Sequence, residues 1–220
     1  MPREEYQREL AALHDSVLDM GEAVVARVEK AFAALARRDA DRARSLIRTD
    51  SDVNELSLDL ERTCLDLIAL QQPVAGDLRF VVSSFKIVTD LERIADLATN
   101  LCRYVIARER EVFPTVDLRA LGSLAVSMLD DALAAYARRD ADACREIAAR
   151  DDDLDVECER VGAVVVRDLV GLDAAYDESL FAEVSHFLLT VRDIERVGDH
   201  AVNIAARTLY MIENDDELIY

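Results

Sequence analysis

At 220 residues with 51% hydrophobic content, the chain has ample apolar surface for a packed core, as one ordinary domain or two small ones, and this excludes a disordered polypeptide. A formal charge of −19 and the absence of any basic run oppose nucleic-acid binding, since affinity for phosphate backbones comes from counterions released by Lys and Arg. The first residues, MPREEYQREL, lack the apolar core of a signal peptide. The longest apolar run, within VGAVVVRDLVGL (161–172), is too short to cross a bilayer, so a cytoplasmic protein without membrane insertion is expected.

Six glycines, three prolines and an abundance of Ala, Leu, Arg, Glu and Asp point to an all-α chain. Pro2, Pro73 and Pro114 each stand before a long helical pattern, where proline is tolerated. Helices are expected at 4–37, 41–71, 74–109, 115–138, 141–170 and 177–213. The first closes on ARRDAD (Ala36 to Asp41) and the fourth closes on the same six residues (Ala137 to Asp142), 101 positions later. In the third helix Leu78, Val81, Phe85, Val88, Leu91, Ala95, Ala98 and Cys102 follow three-and-four spacing. The sixth repeats that frame with Phe181, Val184, Leu188, Val191, Ile194, Gly198, Ala201 and Ala205. The fold expected is two tandem three-helix bundles related by internal duplication, residues 1–110 and 115–220, joined by EVFPTVD (Glu111 to Asp117). Gly198 in a helix interior costs about 1 kcal/mol relative to Ala, so packing or site geometry should require it.

Cys64, Cys102, Cys144 and Cys158 form no CxxC pair and fall within helical patterns, as expected of reduced core residues. Of the 26 basic residues only Lys30 and Lys86 are lysines, against 45 acids, a balance suited to a salt-rich cytoplasm. The melting temperature should therefore rise between about 0.01 M salt, where the Debye length is about 30 Å, and molar salt. A flat response would remove the salt-adapted reading.

The repeated segments DLERIADLATN (90–100) and DIERVGDHAVN (193–203) carry the chemistry. Residues four apart on a helix stand one turn apart, so Glu92, Asp96 and Asn100 form a ladder of oxygen ligands beside the apolar stripe, and Glu195, Asp199 and Asn203 form its twin. Stacked carboxylates repel one another. Solvent, arginines such as Arg93 and Arg196, or a bound cation can relieve that repulsion, and oxygen donors suit Mg, Ca, Mn, Zn or Fe. A single ladder would be explained as well by ion pairs with neighbouring helices; its recurrence in two otherwise divergent halves favours a site.

QQPVAGDLRF (71–80) followed by DLERIADLATN, with DIERVGDHAVN in the second half, resembles the PhoU family of phosphate-uptake regulators over nearly the whole chain. The resemblance implies two three-helix bundles and multinuclear iron or zinc clusters, with Glu92, Asp96, Glu195 and Asp199 as ligands and Asn100 and Asn203 on the next turn. Asp90 and Asp193, two residues before each Glu, point elsewhere on the helix. The resemblance further implies a stand-alone cytoplasmic protein that restrains high-affinity phosphate import and phosphate signalling. The expected partners are the transporter's ATPase subunit and a phosphate-sensing kinase, with a homodimer as a further expectation. The second half has GLDAAYDESL where the first has QQPVAGDLRF, so the role of the QQP turn is expected once.

No P-loop, GxSxG or nucleophile–base arrangement is present, and no enzyme activity is expected. Two alternatives stand beside this reading. A di-iron carboxylate enzyme would use Glu183 and His186, but needs a second ExxH pair where the first half has Phe80 and Ser83. A metal-free acidic scaffold would use the helix surfaces alone.

Overall fold

ARRDAD explains how each half begins to fold. After α1 (Pro2–Arg37), Arg38 takes a left-handed backbone (φ 54°), Asp39 N–H donates to Ala34 O at 3.0 Å, and Arg38 N–H donates to Leu35 O at 3.4 Å. These two bonds satisfy carbonyls that a helix end otherwise leaves orphaned. The Asp39 carboxylate then accepts from Arg42 N–H at 2.9 Å and caps α2 (Ala40–Arg48). After α5 (Leu118–Arg138) the device recurs: Arg139 has φ 54°, Asp140 N–H reaches Ala135 O at 3.0 Å, and the Asp140 carboxylate accepts from Ala143 N–H at 3.1 Å. It opens α6 (Ala141–Gly171).

The computed structural model describes residues 2–108, 116–171 and 178–219. Most of the expected connector, including Pro114, lies outside these residues, as does the centre of the GLDAAYDESL segment. Among the described residues there are seven helices and no strand: α1, α2, α3 (Asp50–Gln71), α4 (Ala75–Ala107), α5, α6 and α7 (Glu178–Glu213).

The expected helix 41–71 is in fact two, α2 and α3, broken at Thr49. The cause is Arg27 on α1. Its guanidinium donates to Leu46 O at 2.9 Å, which Thr49 N–H also serves, and to Thr49 O at 3.2 Å, so both carbonyls at the break gain a buried cationic partner. In the second half the equivalent of Arg27 is Met128, and α6 runs unbroken. The helix expected from 115 begins at Leu118 instead, because Asp117 acts as cap and accepts from Arg119 N–H at 2.9 Å.

Helices α4 and α7 pack on each other at the centre; α1, α2 and α3 cover α4, α5 and α6 cover α7, and α1 meets α5. The chain is thus all-α, two three-helix bundles of one duplicated design. The α1–α5 contact shows the pseudo-twofold directly. A Cβ built on Gly21 would meet Leu133 Cδ2 at 2.6 Å, and one built on Gly122 would meet Phe32 Cδ1 at 2.8 Å; both glycines and both partners are 101 residues apart. Each bulky side chain lies where the other helix offers only hydrogen.

The core joins Val17, Met20 and Val24 of α1, Ile87, Leu91 and Ile94 of α4, Met128 and Leu129 of α5, Leu154 of α6, and Ile194, Val197 and Ile204 of α7. Each such side chain contributes about 1.5–3 kcal/mol on leaving water. The matched apolar stripes are not buried to their N-terminal ends: Leu78 and its repeat mate Phe181 are exposed, and so is Leu188. Helix α5 is long and apolar enough to cross a membrane, yet half of its apolar window is packed inside the bundle. All four cysteines are buried and free, with burial pushing Cys64 and Cys158 up to about 12 and Cys102 and Cys144 up to about 11.

Two polar clamps join the halves across α4 and α7. His200 Nδ1 lies 2.9 Å from Asp90 Oδ1, and Tyr104 Oη donates to Asp193 Oδ2 at 3.0 Å. Asp90 and Asp193 therefore face the inter-repeat seam, on the opposite side of their helices from the ladders.

Candidate metal centre

On α7, Glu195 is half-buried and Asp199 sits one turn on, and both face α6. There α6 contributes Asp151 and Asp155, themselves four residues apart and so on one face. One oxygen each from Asp151, Asp155 and Asp199 lies within 4.8 Å of the other two. The segment RDDDLD (150–155) contains Asp151 and Asp155, which sequence reasoning missed, whereas Asp199 was among the expected ligands. The 101-residue offset taken from ARRDAD, applied to the helix packed on the ladder, was the available signal.

The electrostatics are those of an uncompensated cluster. Burial, then Asp155 and Asp199, push the Asp151 carboxyl up to about 6. Glu195 is raised by burial and by Asp155 and Asp199, and Asp199 is raised by burial and Asp155, although His200 and Arg196 pull it down. Asp151 Oδ1 and Asp155 Oδ1 are buried with no hydrogen-bond donor among the described residues. Such oxygens incur the desolvation penalty without a partner. Cys158 is close enough to feel these acids, but the group whose donor atoms converge is Asp151, Asp155 and Asp199, an all-oxygen set. Converging carboxylates of this kind fit a hard or borderline cation.

In the first half, Glu92 and Asp96 on α4 face α3. Glu92 is raised by burial, then by Asp96, and further by Glu61 and Asp50; Asp96 is raised by burial and Asp50, with Arg103 and Arg27 opposing. Asp50 is the equivalent of Asp151, but here Arg27 Nη2 donates to it at 2.8 Å. Asn100 Oδ1 accepts from Arg103 Nη1 at 2.8 Å, and Asn203 is half-buried one turn beyond Asp199. The second-half residues therefore fit a metal ion more closely than those of the first.

Gly198 lies between Glu195 and Asp199, and a Cβ there would overlap Leu154 Cδ2 and lie 3.4 Å from Asp151 Oδ1. Hydrogen at this position is what lets α6 bring its acids to α7. By the same offsets the first half has Ala95 and Val53, one carbon more on one helix and one fewer on the other. Gly198→Ala should lose about 1–2 kcal/mol in urea unfolding, an overpacking cost partly offset by better helix propensity. Leu154→Val should recover most of it in the double variant. A neutral or stabilising Gly198→Ala would show that close packing is not the reason for the glycine.

Glu183 is buried, and His186 stacks on Tyr104 with ring centroids 6.0 Å apart. They line a cavity of about 20 Å³ with Thr190, and no ladder carboxylate reaches it. Among the described residues the lining holds one Glu and one His, where a di-iron site requires two ExxH pairs and two more glutamates.

The PhoU domain model matches residues 17–105 and again 118–208. A phosphate-specific transport system accessory protein PhoU homolog from Clostridium acetobutylicum is 31% identical over 215 residues, covering 96% of both chains. The crystal structure of PhoU from Pseudomonas aeruginosa superposes with a TM-score of 0.88 at 31% identity, covering 96% of this chain and 100% of that one. The phosphate transport system regulatory protein PhoU from Streptococcus pneumoniae gives the same TM-score at 28% identity, with 96% and 98% covered. With two copies of the domain in tandem and near-complete coverage by these relatives, the chain belongs to the PhoU family.

Proposed function

We propose that this protein is a metal-binding cytoplasmic regulator of phosphate homeostasis that restrains high-affinity phosphate uptake by contacting other proteins. Its relatives are named as accessory and regulatory proteins of phosphate transport, which supports the physiological setting. The observation that carries the molecular part is the cluster of Asp151, Asp155 and Asp199, with two buried oxygens that have no donor among the described residues. Asp151, Asp155, Glu195 and Asp199 would hold the ion, and a bound cation would supply the positive charge the cluster lacks.

Docking follows from the same faces. Leu58, Leu65, Leu78 and Val82 are exposed on α3 and α4, and Val156, Val166 and Leu188 are exposed on α6 and α7, the helices that carry the acids. Exposed apolar side chains on helices whose charge a metal would neutralise suit a protein partner. The transporter's ATPase subunit and a phosphate-sensing kinase are the partners this reading names. The experiment is deletion of the protein in phosphate-rich medium, where uptake should rise. Glu195→Gln with Asp199→Asn should weaken retention of the ATPase subunit in a pull-down while far-UV circular dichroism stays unchanged. Unchanged uptake, with neither partner recovered by the unaltered chain, would overturn the regulatory reading.

A further inference from the structure

The two ladders differ in one charge that the duplication did not preserve. Arg27 is only 6% exposed and reaches from α1 to the α2–α3 junction. Besides the carbonyls at Leu46 and Thr49, it donates to Thr49 Oγ1 at 3.2 Å, to Thr99 Oγ1 at 3.0 Å and to Asp50 Oδ1 at 2.8 Å. Thr99 also donates to that Asp50 oxygen, at 2.6 Å. One Asp50 oxygen thus already accepts two hydrogen bonds, one of them from a full positive charge, whereas Asp151 Oδ1 has no donor among the described residues.

Every corresponding position in the second half lacks this arrangement. Arg27 becomes Met128, Thr99 becomes Val202, and Asn54 becomes Asp155. Thr49 becomes Arg150, which turns away from the cluster to donate to Asp131 at 2.5 Å and to Ser127 at 2.6 Å. The first half has a cation and lacks a carboxylate; the second has an additional carboxylate and no cation on Asp151.

We propose that Arg27 is a resident counter-ion that takes the place of metal in the first half, so that the chain loads metal at Asp151, Asp155, Glu195 and Asp199 and only weakly at Glu92 and Asp96. The guanidinium satisfies Asp50 by donating hydrogen bonds, and the same lone pairs cannot also coordinate an ion. The two halves then play different parts, one with Asp50 held by a fixed cation and one dependent on metal supply. This inference rests on the metal reading given under Proposed function.

Chelator-stripped full-length protein titrated with Mn(II), with free ion followed by electron paramagnetic resonance, tests it. Asp151→Asn with Asp155→Asn should weaken Mn(II) binding at least about tenfold, whereas Glu92→Gln with Asp96→Asn should leave it within about twofold, since affinity follows the count of charged oxygen ligands. Arg27→Met, which copies the residue of the second half, should add a second class of site that Glu92→Gln with Asp96→Asn removes. Should Arg27→Met fail to fold, the comparison of the two carboxylate pairs in the otherwise unaltered chain still decides the matter. Equal weakening by the two pairs would overturn the role of Arg27 while leaving metal binding intact. No Mn(II) bound by the unaltered protein would overturn both.

Discussion

Arg27→Ala is expected to lower the unfolding free energy by about 3 kcal/mol. Removing one partner of a buried pair leaves the other charge uncompensated, which typically costs 3–5 kcal/mol; Asp50 is 27% exposed, so the lower end applies. The Thr49 carbonyl loses its guanidinium donor at the same time, and the Leu46 carbonyl keeps only its bonds from Thr49. For a chain of this length the melting temperature should fall by roughly 6–12 °C. Arg27→Lys should recover only part of the loss, because an ammonium on a flexible stem cannot reach five acceptors as a planar fork does. Asp50→Asn in the Arg27→Ala background should be less harmful than in the unaltered chain, since it removes the stranded charge. A loss under about 1 kcal/mol for Arg27→Ala would mean that the α2–α3 junction does not depend on it.

The second large effect is one of pH and metal together. Asp151 binds its proton more tightly in the folded chain, up to about 6 against an ordinary 3.8. The folded state therefore holds more protons than the unfolded one between those values, and stability from this group is present below the ordinary value and lost as pH rises through about 6. In chelated protein at pH 7, Asp151→Asn should be more stable than the unaltered chain by about 1–2 kcal/mol, a figure reduced for solvent screening. At pH 4 and below the difference should nearly vanish. Metal should shift the order back toward the unaltered chain, because its cluster gains about 2.7 kcal/mol of ligand-linked stability at a hundredfold excess over its Kd, against about 1.4 kcal/mol for a site tenfold weaker. Asp151→Asn destabilising the chelated protein at pH 7 would show that the cluster is satisfied without a cation.

Much of this was legible because the duplication writes each device twice. ARRDAD announced two helix ends, and both prove to be left-handed turns on Arg38 and Arg139 followed by an Asp cap. Gly198 announced a close approach without naming Leu154 as the neighbour. What stayed hidden depends on side chains that meet only after folding. The break at Thr49 comes from an arginine 22 residues away on another helix, and the local pattern of 41–71 carries no trace of it. Asp151 and Asp155 stand in an acid-rich run that reads as a solvated face until α7 is packed against it. The exposure of Leu78 and Phe181 was invisible for the converse reason: periodicity marks an apolar face but not where its covering helix ends.

The measurement that bears most directly on the metal centre is anomalous diffraction from crystals of the full chain soaked in Zn(II) or Mn(II), collected at the metal's absorption edge. A strong peak is expected, coordinated by Asp199 of α7 together with Asp151 and Asp155 of α6, with little or no density beside Glu92 and Asp96. Soaked crystals with no peak at the second-half cluster, or with the stronger peak beside Asp50, would contradict it.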